Sequence, residues 1–237
     1  APAQTELYAR GVHDATATYE TGDPALHRER ANSAEVSVRW RGGLVHADGS
    51  VWVTDFRSYI YGELSGRRCS EEGACAAGNA GQFAELNYVQ RGARFHGAEG
   101  HAEIELLQRP AGDLHLDLLA DMVRARLDDG GGNVPRIPAY RVGAGLAWQG
   151  AQFDANVSVR YTGAQNRIGG SETPAPGFTN VDAQLAWRPW AQRRGIELAL
   201  VGRNLGDSLQ RNAVSLNKDE VILPGRDLRL MFRASFD

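Results

Sequence analysis

A two-residue alternation of apolar and polar side chains recurs along most of this 237-residue chain. In residues 154–161, alanine, valine and tyrosine alternate with aspartate, asparagine, serine and arginine. Residues 181–188 and 227–236 repeat the pattern, so each segment has one apolar side and one polar or charged side. Successive side chains of a β-strand point to opposite faces, so this period predicts strands rather than helices.

The whole chain divides into about nine such segments, many near the roughly 9–11 residues that a strand needs to cross a bilayer. They are expected near 29–40, 50–61, 92–107, 113–125, 139–148, 151–162, 178–188, 195–205 and 221–236. Short connections are expected at 41–49, 110–113, 149–150 and 189–195, and long ones at 62–91, 126–138, 163–177 and 206–220. Short turns at one end of a sheet and long loops at the other are typical of outer-membrane barrels.

The polar faces of these strands carry many ionisable groups, which indicates a wide aqueous or plugged interior rather than a small dry barrel. The residues predicted to share this face are Glu35, Arg39, Asp55, Arg57, Glu99, His101, Glu103, Glu105, His115, Asp117, Asp121, Arg160, Asp182, Arg188, Arg229 and Arg233. A soluble antiparallel sandwich, with its charged faces in water, is the alternative. The pattern favours the membrane barrel.

Composition excludes several other classes of protein. No apolar run approaches the roughly 18–20 residues of a membrane-spanning helix. The net charge is −3, so nucleic acid is not an expected partner. The first residues have neither a basic segment nor an apolar core, so a signal peptide is not expected within the chain. An exported chain of this kind is expected to be processed or to begin within a longer protein.

Cys69 and Cys75 lie in one glycine-rich loop. A small local disulfide is one interpretation, in an oxidising compartment, but the sequence alone does not decide whether it forms. A zinc-binding pair is the alternative, but no second cysteine or histidine pair lies nearby in the sequence.

No catalytic motif is evident, since the nucleophile elbow, the zinc-protease helix and the phosphate-binding loop are all missing. The sequence therefore does not predict an enzyme. Metal-ligating side chains do cluster near the N-terminus, at His13, Asp14, Glu20, Asp23 and His27. Zinc prefers imidazole nitrogen with carboxylate support, although a solvated polar loop has the same composition.

Two further groups of side chains have alternative interpretations. His96 and His101 are separated by an odd number of residues, so they are expected on opposite faces; His101 would point inward as a metal ligand or as part of an interior polar network. Aromatic residues near predicted strand ends fit membrane-interface girdles. These are Trp40, Tyr61, Trp148, Tyr161, Trp187 and Trp190, whereas Tyr8, Tyr19 and Tyr61 are also candidates for stacking on a ligand.

Several motifs resemble TonB-dependent outer-membrane receptors, in the order in which that family has them. The segment GDPALHRE at 22–29 resembles the family's loop-ending "NPxLxxE" turn, GRNLGD at 202–207 its "NLFD" strand end, and PGR at 224–226 its entry to the last strand. Within the family, the stretches ELYARGVHDATATYETGDPAL, YVQRGARFHGAEG, VPRIPAYRVG and YTGAQNRIGG are most similar to zinc receptors.

The resemblance implies an all-β, antiparallel, up-and-down transmembrane barrel of 22 strands in the cell outer membrane, of which this chain would be the last nine or so. The plug domain and the TonB-contacting box would then lie outside it, and nine strands alone would form an open sheet. The resemblance also implies partnership with TonB, with the barrel-assembly machinery through Phe236, and with outer-membrane lipid. Asp237 departs from the family's usual terminal phenylalanine.

The expected function is active uptake of a scarce nutrient, with zinc favoured as the transported ligand and no cofactor required. The resemblance favours His13 as a zinc ligand, with His27 and His101 as further candidates. Tyr8, Asp14, Tyr19, Glu20 and Asp23 are expected in the ligand-binding loop. A ferric siderophore, haem or cobalamin receptor is the nearest alternative; a passive porin and a soluble β-sandwich are the others.

Overall fold

The alternating segments of the chain join into one twelve-stranded sheet in the computed structural model, which describes residues 1–78, 81–190 and 195–235. A short helix, α1 (Gln4–Tyr8), precedes it, and none of the helices in these ranges is long and apolar enough to span a membrane. The strands are β1 (Arg10–His13), β2 (Thr18–Thr21), β3 (Ala31–Gly42), β4 (Val45–Cys69), β5 (Cys75–Ala77), β6 (Phe83–Arg109), β7 (Gly112–Leu127), β8 (Arg141–Gly150), β9 (Phe153–Thr162), β10 (Phe178–Trp187), β11 (Ile196–Arg203) and β12 (Asp227–Ala234).

The long strands pair antiparallel with their neighbours in chain order, with the short β5 set aside at the tip of the β4–β6 hairpin. Two-residue turns join β3 to β4, β6 to β7 and β8 to β9, whereas long loops join β7 to β8, β9 to β10 and β11 to β12. The predicted sorting by length is therefore confirmed for these six connections. We call the two ends of the sheet the turn end and the loop end. The sheet does not close, as predicted, and β3 and β12 lie at its edges.

β4 and β6 run well past their predicted ends. β4 has 25 residues and β6 has 27, so the region expected to be a long loop is instead a hairpin that extends beyond the sheet's loop end. The outer residues of this hairpin do not alternate between apolar and polar side chains, because both of its sides carry polar groups. Backbone pairing between β4 and β6 forms the strands there. In contrast, residues 221–226 are not a strand, and β12 begins only at Asp227.

Cross-strand register joins the apolar sides of the strands into one continuous surface, which we call the apolar face. Val157 of β9 pairs with Leu146 of β8 and with Ala183 of β10. On the last strand, the exposed fractions are 63% for Leu228, 78% for Leu230 and 66% for Phe232. The membrane-barrel prediction requires these side chains to lie outside any dry core, and they do.

The opposite surface, the polar face, carries most of the predicted ionisable groups. Arg141 of β8 donates to Asp121 of β7 at 3.0 Å. Asp55 is an exception, because it alternates with Thr54 and therefore lies on the apolar-face side of β4, where it pairs with Arg94. The prediction for Asp55 is wrong, and Arg57 lies at a β-bulge that interrupts the alternation.

Near the loop end the two sides of the sheet exchange character: apolar residues lie on the polar-face side, and charged residues lie on the apolar-face side. On the polar-face side, Tyr61, Ala93, Ala125, Leu127 and Val134 form a buried apolar cluster against the β7–β8 loop. Tyr61 is 5% exposed within it, so its prediction as a girdle residue is wrong: β4 continues past it, and it does not lie at a strand end. Aromatics do border the apolar face at the turn end, among them Trp40, Trp148, Phe153 and Trp187.

Candidate functional site

The N-terminal segment folds onto the outer part of the β4–β6 hairpin. β1 and β2 form a small antiparallel hairpin, and β2 then lies parallel to β6, with Thr18 paired to Ala84 and Thr21 to Asn87. β7 pairs with the same edge of β6 but ends nearer the turn end, since its last pair joins Leu127 to Ala93. β2 therefore occupies the edge of β6 that β7 leaves free, which fixes the predicted ligand-binding loop at the loop end.

His13 and Glu20 are brought together across the β1–β2 hairpin. The Nδ1 atom of His13 lies 3.0 Å from Oε1 of Glu20, and the hydroxyl of Thr16 lies 3.1 Å from the same nitrogen. The side chain of His13 is 57% exposed, whereas that of Glu20 is 15% exposed. A carboxylate on Nδ1 orients the imidazole and leaves Nε2 facing solvent, which is the usual arrangement of a metal-binding histidine with its supporting partner.

Residues of the sheet hold the carboxylate of Glu20 in place. The hydroxyl of Tyr88, on β6, donates to Oε2 of Glu20 at 3.2 Å, and the hydroxyl of Thr18 donates to Oε1 at 3.4 Å. Burial raises the pKa of Tyr88, and the nearby Glu20 carboxylate raises it further, so the phenol stays protonated as a donor. Tyr88 and Thr18 are partners that sequence reasoning missed, because their contact depends on the parallel pairing of β2 with β6.

The other predicted loop residues do not converge on His13. His27 is tied to Gln90 through its backbone, and its ring contacts the carbonyl of Ala25. Asp23 accepts a hydrogen bond from the backbone N–H of Ala25 at 2.8 Å, which caps a turn. Asp14 begins a short 3₁₀ turn, Asp14–Thr16. These contacts explain the loop's shape, and they leave His13 as the imidazole best placed to meet a ligand.

A cleft of about 620 Å³ lies beside this hairpin, between α1–β1 and the tip of the β4–β6 hairpin. Tyr8 on its wall is 66% exposed, whereas Tyr19 is only 8% exposed. The lining also includes Arg10, Arg67 and Glu85, so the cleft combines an aromatic ring with charges of both signs. Glu85 was not singled out by the sequence; it is buried, and the hydroxyl of Ser65 donates to it.

The two cysteines close the far wall of the cleft. Cys69 and Cys75 form a disulfide that joins the end of β4 to β5. Gly73 in the enclosed turn has φ +83°, and a Cβ there would overlap the hydroxyl of Tyr19, so this position requires glycine. Within the described ranges, the three-residue group with metal-ligand geometry is Cys69, Cys75 and Glu85, and the disulfide removes both sulfurs as ligands.

His101 lies far below the loop, on the polar face. Its Nδ1 is 3.9 Å from Asp48 and its Nε2 is 3.8 Å from Asp117. His96 lies on the other face opposite Val53, which confirms that the two histidines cannot chelate one ion. His101 therefore lies between two carboxylates of the polar face, separate from the His13 loop. Phe236, the predicted assembly signal, lies outside the described residues.

Comparison with known proteins gives a family and a set of similar folds. A family model described as "TonB dependent receptor-like, beta-barrel" matches residues 1–205. The solved structure "Copper transporter OprC" aligns with a TM-score of 0.71 and 18% identity over 88% of this chain and 31% of that one. The siderophore receptor PirA from Acinetobacter baumannii gives 0.65 and 15%, over 92% of this chain and 33% of that one.

A third structure, an FrpB iron transporter variant from Neisseria meningitidis, aligns with a TM-score of 0.62 and 16% identity over 92% of this chain and 32% of that one. The chain thus spans about a third of the length of the solved structures that it matches. At such low identity, these likenesses concern the fold alone. The described strands form one sheet rather than two packed sheets, which excludes the β-sandwich alternative.

Proposed function

Since the chain belongs to the TonB-dependent receptor-like β-barrel family, we propose that it is the C-terminal part of an outer-membrane receptor that actively imports a scarce metal nutrient, with zinc as the favoured ligand. The family is one of receptors and transporters rather than enzymes. Its barrels lie in the outer membrane, so the apolar face borders lipid and the polar face borders the lumen. In the receptor, TonB would supply energy through a segment outside this chain, and Phe236 would engage the barrel-assembly machinery.

The observation that carries the zinc proposal is the pairing of His13 with Glu20 at the loop end. The hydrogen bond to Nδ1 leaves Nε2 as the coordinating atom, and zinc binds imidazole nitrogen at about 2.0–2.1 Å. One imidazole is not a complete site, so the remaining ligands would come from elsewhere in the receptor or from water. Such an incomplete site suits capture followed by release, because a closed tetrahedral site would hold zinc as a structural ion.

A metal chelate is the second candidate ligand, and the cleft beside the hairpin is the observation that favours it. Arg10 offers positive charge to the acidic groups of a siderophore, and Tyr8 offers an exposed ring for stacking, whereas Arg67 is paired with Glu85 at 3.6 Å. The similar folds include a copper transporter, an iron transporter and a siderophore receptor. A passive porin is the remaining alternative, and a plug and TonB box upstream of Ala1 would distinguish a receptor from it.

Calorimetric titration of the full-length receptor with zinc, and separately with ferric chelates, tests this proposal. We expect His13→Ala to weaken zinc binding at least tenfold and Glu20→Gln to weaken it by a smaller factor, since the carboxylate orients the ring. His96→Ala is the matched control, because it removes an exposed imidazole eight residues further along β6 than Tyr88 and should leave zinc affinity unchanged. Unchanged zinc binding in His13→Ala would rule out this loop, and binding of a ferric chelate without zinc would favour the second candidate.

A further inference from the structure

Four basic side chains form a compact group on the outside of the sheet, just above the apolar band. Arg94 of β6 pairs with Arg126 of β7, and His96 pairs with Arg124 one step lower. Alternation along both strands puts all four on the same side as Ala98 and Met122, which belong to the apolar face. We call this group the arginine collar.

The collar cannot serve the lumen, because the opposite side of the same strand segments is closed by packing. Ala93, Ala125 and Leu127 alternate with the collar residues and lie in the buried cluster beneath the β7–β8 loop. The collar side chains themselves are all exposed. Their charge is therefore directed outward, at the level where the lipid-facing surface changes from apolar to polar.

Two of the three guanidinium groups have no acidic partner among the described residues. Arg94 is paired with Asp55, and Asp128 lies nearby on the same side of the sheet. Arg124 and Arg126 make no ion pair within the described part of the chain. Guanidinium groups of this kind are suited to bidentate contacts with phosphate oxygens.

An apolar groove begins beside Arg124. It has a volume of about 680 Å³, and its lining includes Ala120, Met122, Tyr140 and Val142 together with Arg124 and Arg167. Register places Ala120, Met122 and Val142 on the apolar face, so the groove opens toward lipid. A groove with an apolar floor and a cationic rim matches a molecule that has an acyl chain and an anionic head.

We propose that the collar and groove bind a phosphorylated glycolipid of the outer leaflet. Its phosphate groups contact Arg124 and Arg126, and one acyl chain lies along Met122 and Val142. Charge complementarity favours this occupant, since surface arginines attract anionic lipid head groups and the collar stands where such heads lie. The site is independent of which nutrient is imported.

The test uses the full-length receptor in uncharged detergent, with native mass spectrometry to count bound lipid. The probe is a bisphosphorylated, acylated glucosamine disaccharide, compared with its dephosphorylated form and with inorganic phosphate. We expect the double change Arg124→Glu and Arg126→Glu to weaken binding of the bisphosphorylated lipid by on the order of tenfold or more. Arg109→Glu, which makes at the exposed turn-end residue of β6 the same charge change as each of the two collar substitutions, should leave binding within about twofold.

Loss of the folded barrel is monitored by heat-modifiable mobility on gels, and the single changes Arg124→Gln and Arg126→Gln provide a milder series if the double variant fails to insert. Each is expected to weaken lipid binding about threefold to fivefold. Equal binding of the dephosphorylated lipid, or equal binding by wild type and the glutamine variants, would overturn the proposal. Displacement of the lipid by millimolar inorganic phosphate would also overturn it, because it would show a simple anion site.

Discussion

Replacing Val157 with arginine is expected to destabilise the inserted barrel by about 2–4 kcal/mol, because a charge near the bilayer midplane on the lipid face loses its hydration. Val157 lies midway along β9, between Phe153 at the turn end and Tyr161 at the loop end. Its side chain is 44% exposed and is flanked by Leu146 on the next strand. In the receptor, acyl chains are the solvent for this surface.

The matched control is Asn156→Arg, one residue earlier on the same strand. Asn156 pairs with Ala147 and Gln184 on the polar face, so the new guanidinium would remain in the aqueous lumen. We expect its effect on stability to be below about 1 kcal/mol. Urea unfolding of the full-length receptor in lipid vesicles measures both. Equal effects of the two substitutions would mean that both faces of β9 meet the same solvent, contrary to the assigned topology.

Arg188→Ala is expected to cost about 2–4 kcal/mol, since it removes the one cation that two acidic side chains and a backbone carbonyl at the turn end share. The guanidinium contacts both oxygens of Asp154, at 2.6 and 2.7 Å, and Oε2 of Glu197 at 3.2 Å. It also donates to the carbonyl of Gly150 at 2.8 Å. One side chain thereby ties β8, β9 and β11 together, and it is only 15% exposed.

Arg229→Ala serves as the comparison for Arg188. Its guanidinium pairs with Asp227 of the same strand, and its side chain is 64% exposed. An exposed pair of this kind contributes about 0–1 kcal/mol, so its removal should change urea unfolding little. If both substitutions cost the same, the multidentate network at Arg188 contributes no more to the stability of the sheet than an exposed ion pair does.

The regular part of the fold follows directly from the sequence. Segments with strict alternation, such as 154–161 and 181–188, become strands within a few residues of their predicted bounds, because one face meets lipid and the other meets water. The lengths of the connections can also be predicted, because turn residues mark where one apolar segment ends and the next begins. Both properties are local, and local patterns survive in the assembled sheet.

The loop end was harder to predict, because there the physical environment changes and the pairing is not local. Beyond the lipid boundary, the two sides of a strand no longer meet different solvents. The outer parts of β4 and β6 therefore show no regular alternation of apolar and polar residues. Tyr61 and Asp55 were misplaced for this reason: polarity reverses between the faces at their level. The parallel pairing of β2 with β6 joins segments more than sixty residues apart, and no local signal indicates it.

The sequence indicates which side chains share the candidate loop but not how they are arranged. His13 and Glu20 were expected in one loop, and the structure brings their side chains to 3.0 Å. The role of Tyr88 as the donor that fixes Glu20 depends on the same non-local pairing, so sequence spacing did not reveal it. Zinc as the transported ligand stays a prediction, as do the roles of His27 and His101.

The central claim is that the two faces of this sheet meet different solvents, lipid on the apolar face and water on the polar face. Spin labels placed one at a time at residues 153–162 of the full-length receptor, in vesicles, test it most directly. Collision with oxygen, which concentrates in lipid, is expected to peak at Ala155, Val157 and Val159. Collision with a water-soluble nickel chelate should peak at the residues between them. A uniform response along β9, or the opposite phase, would contradict the account.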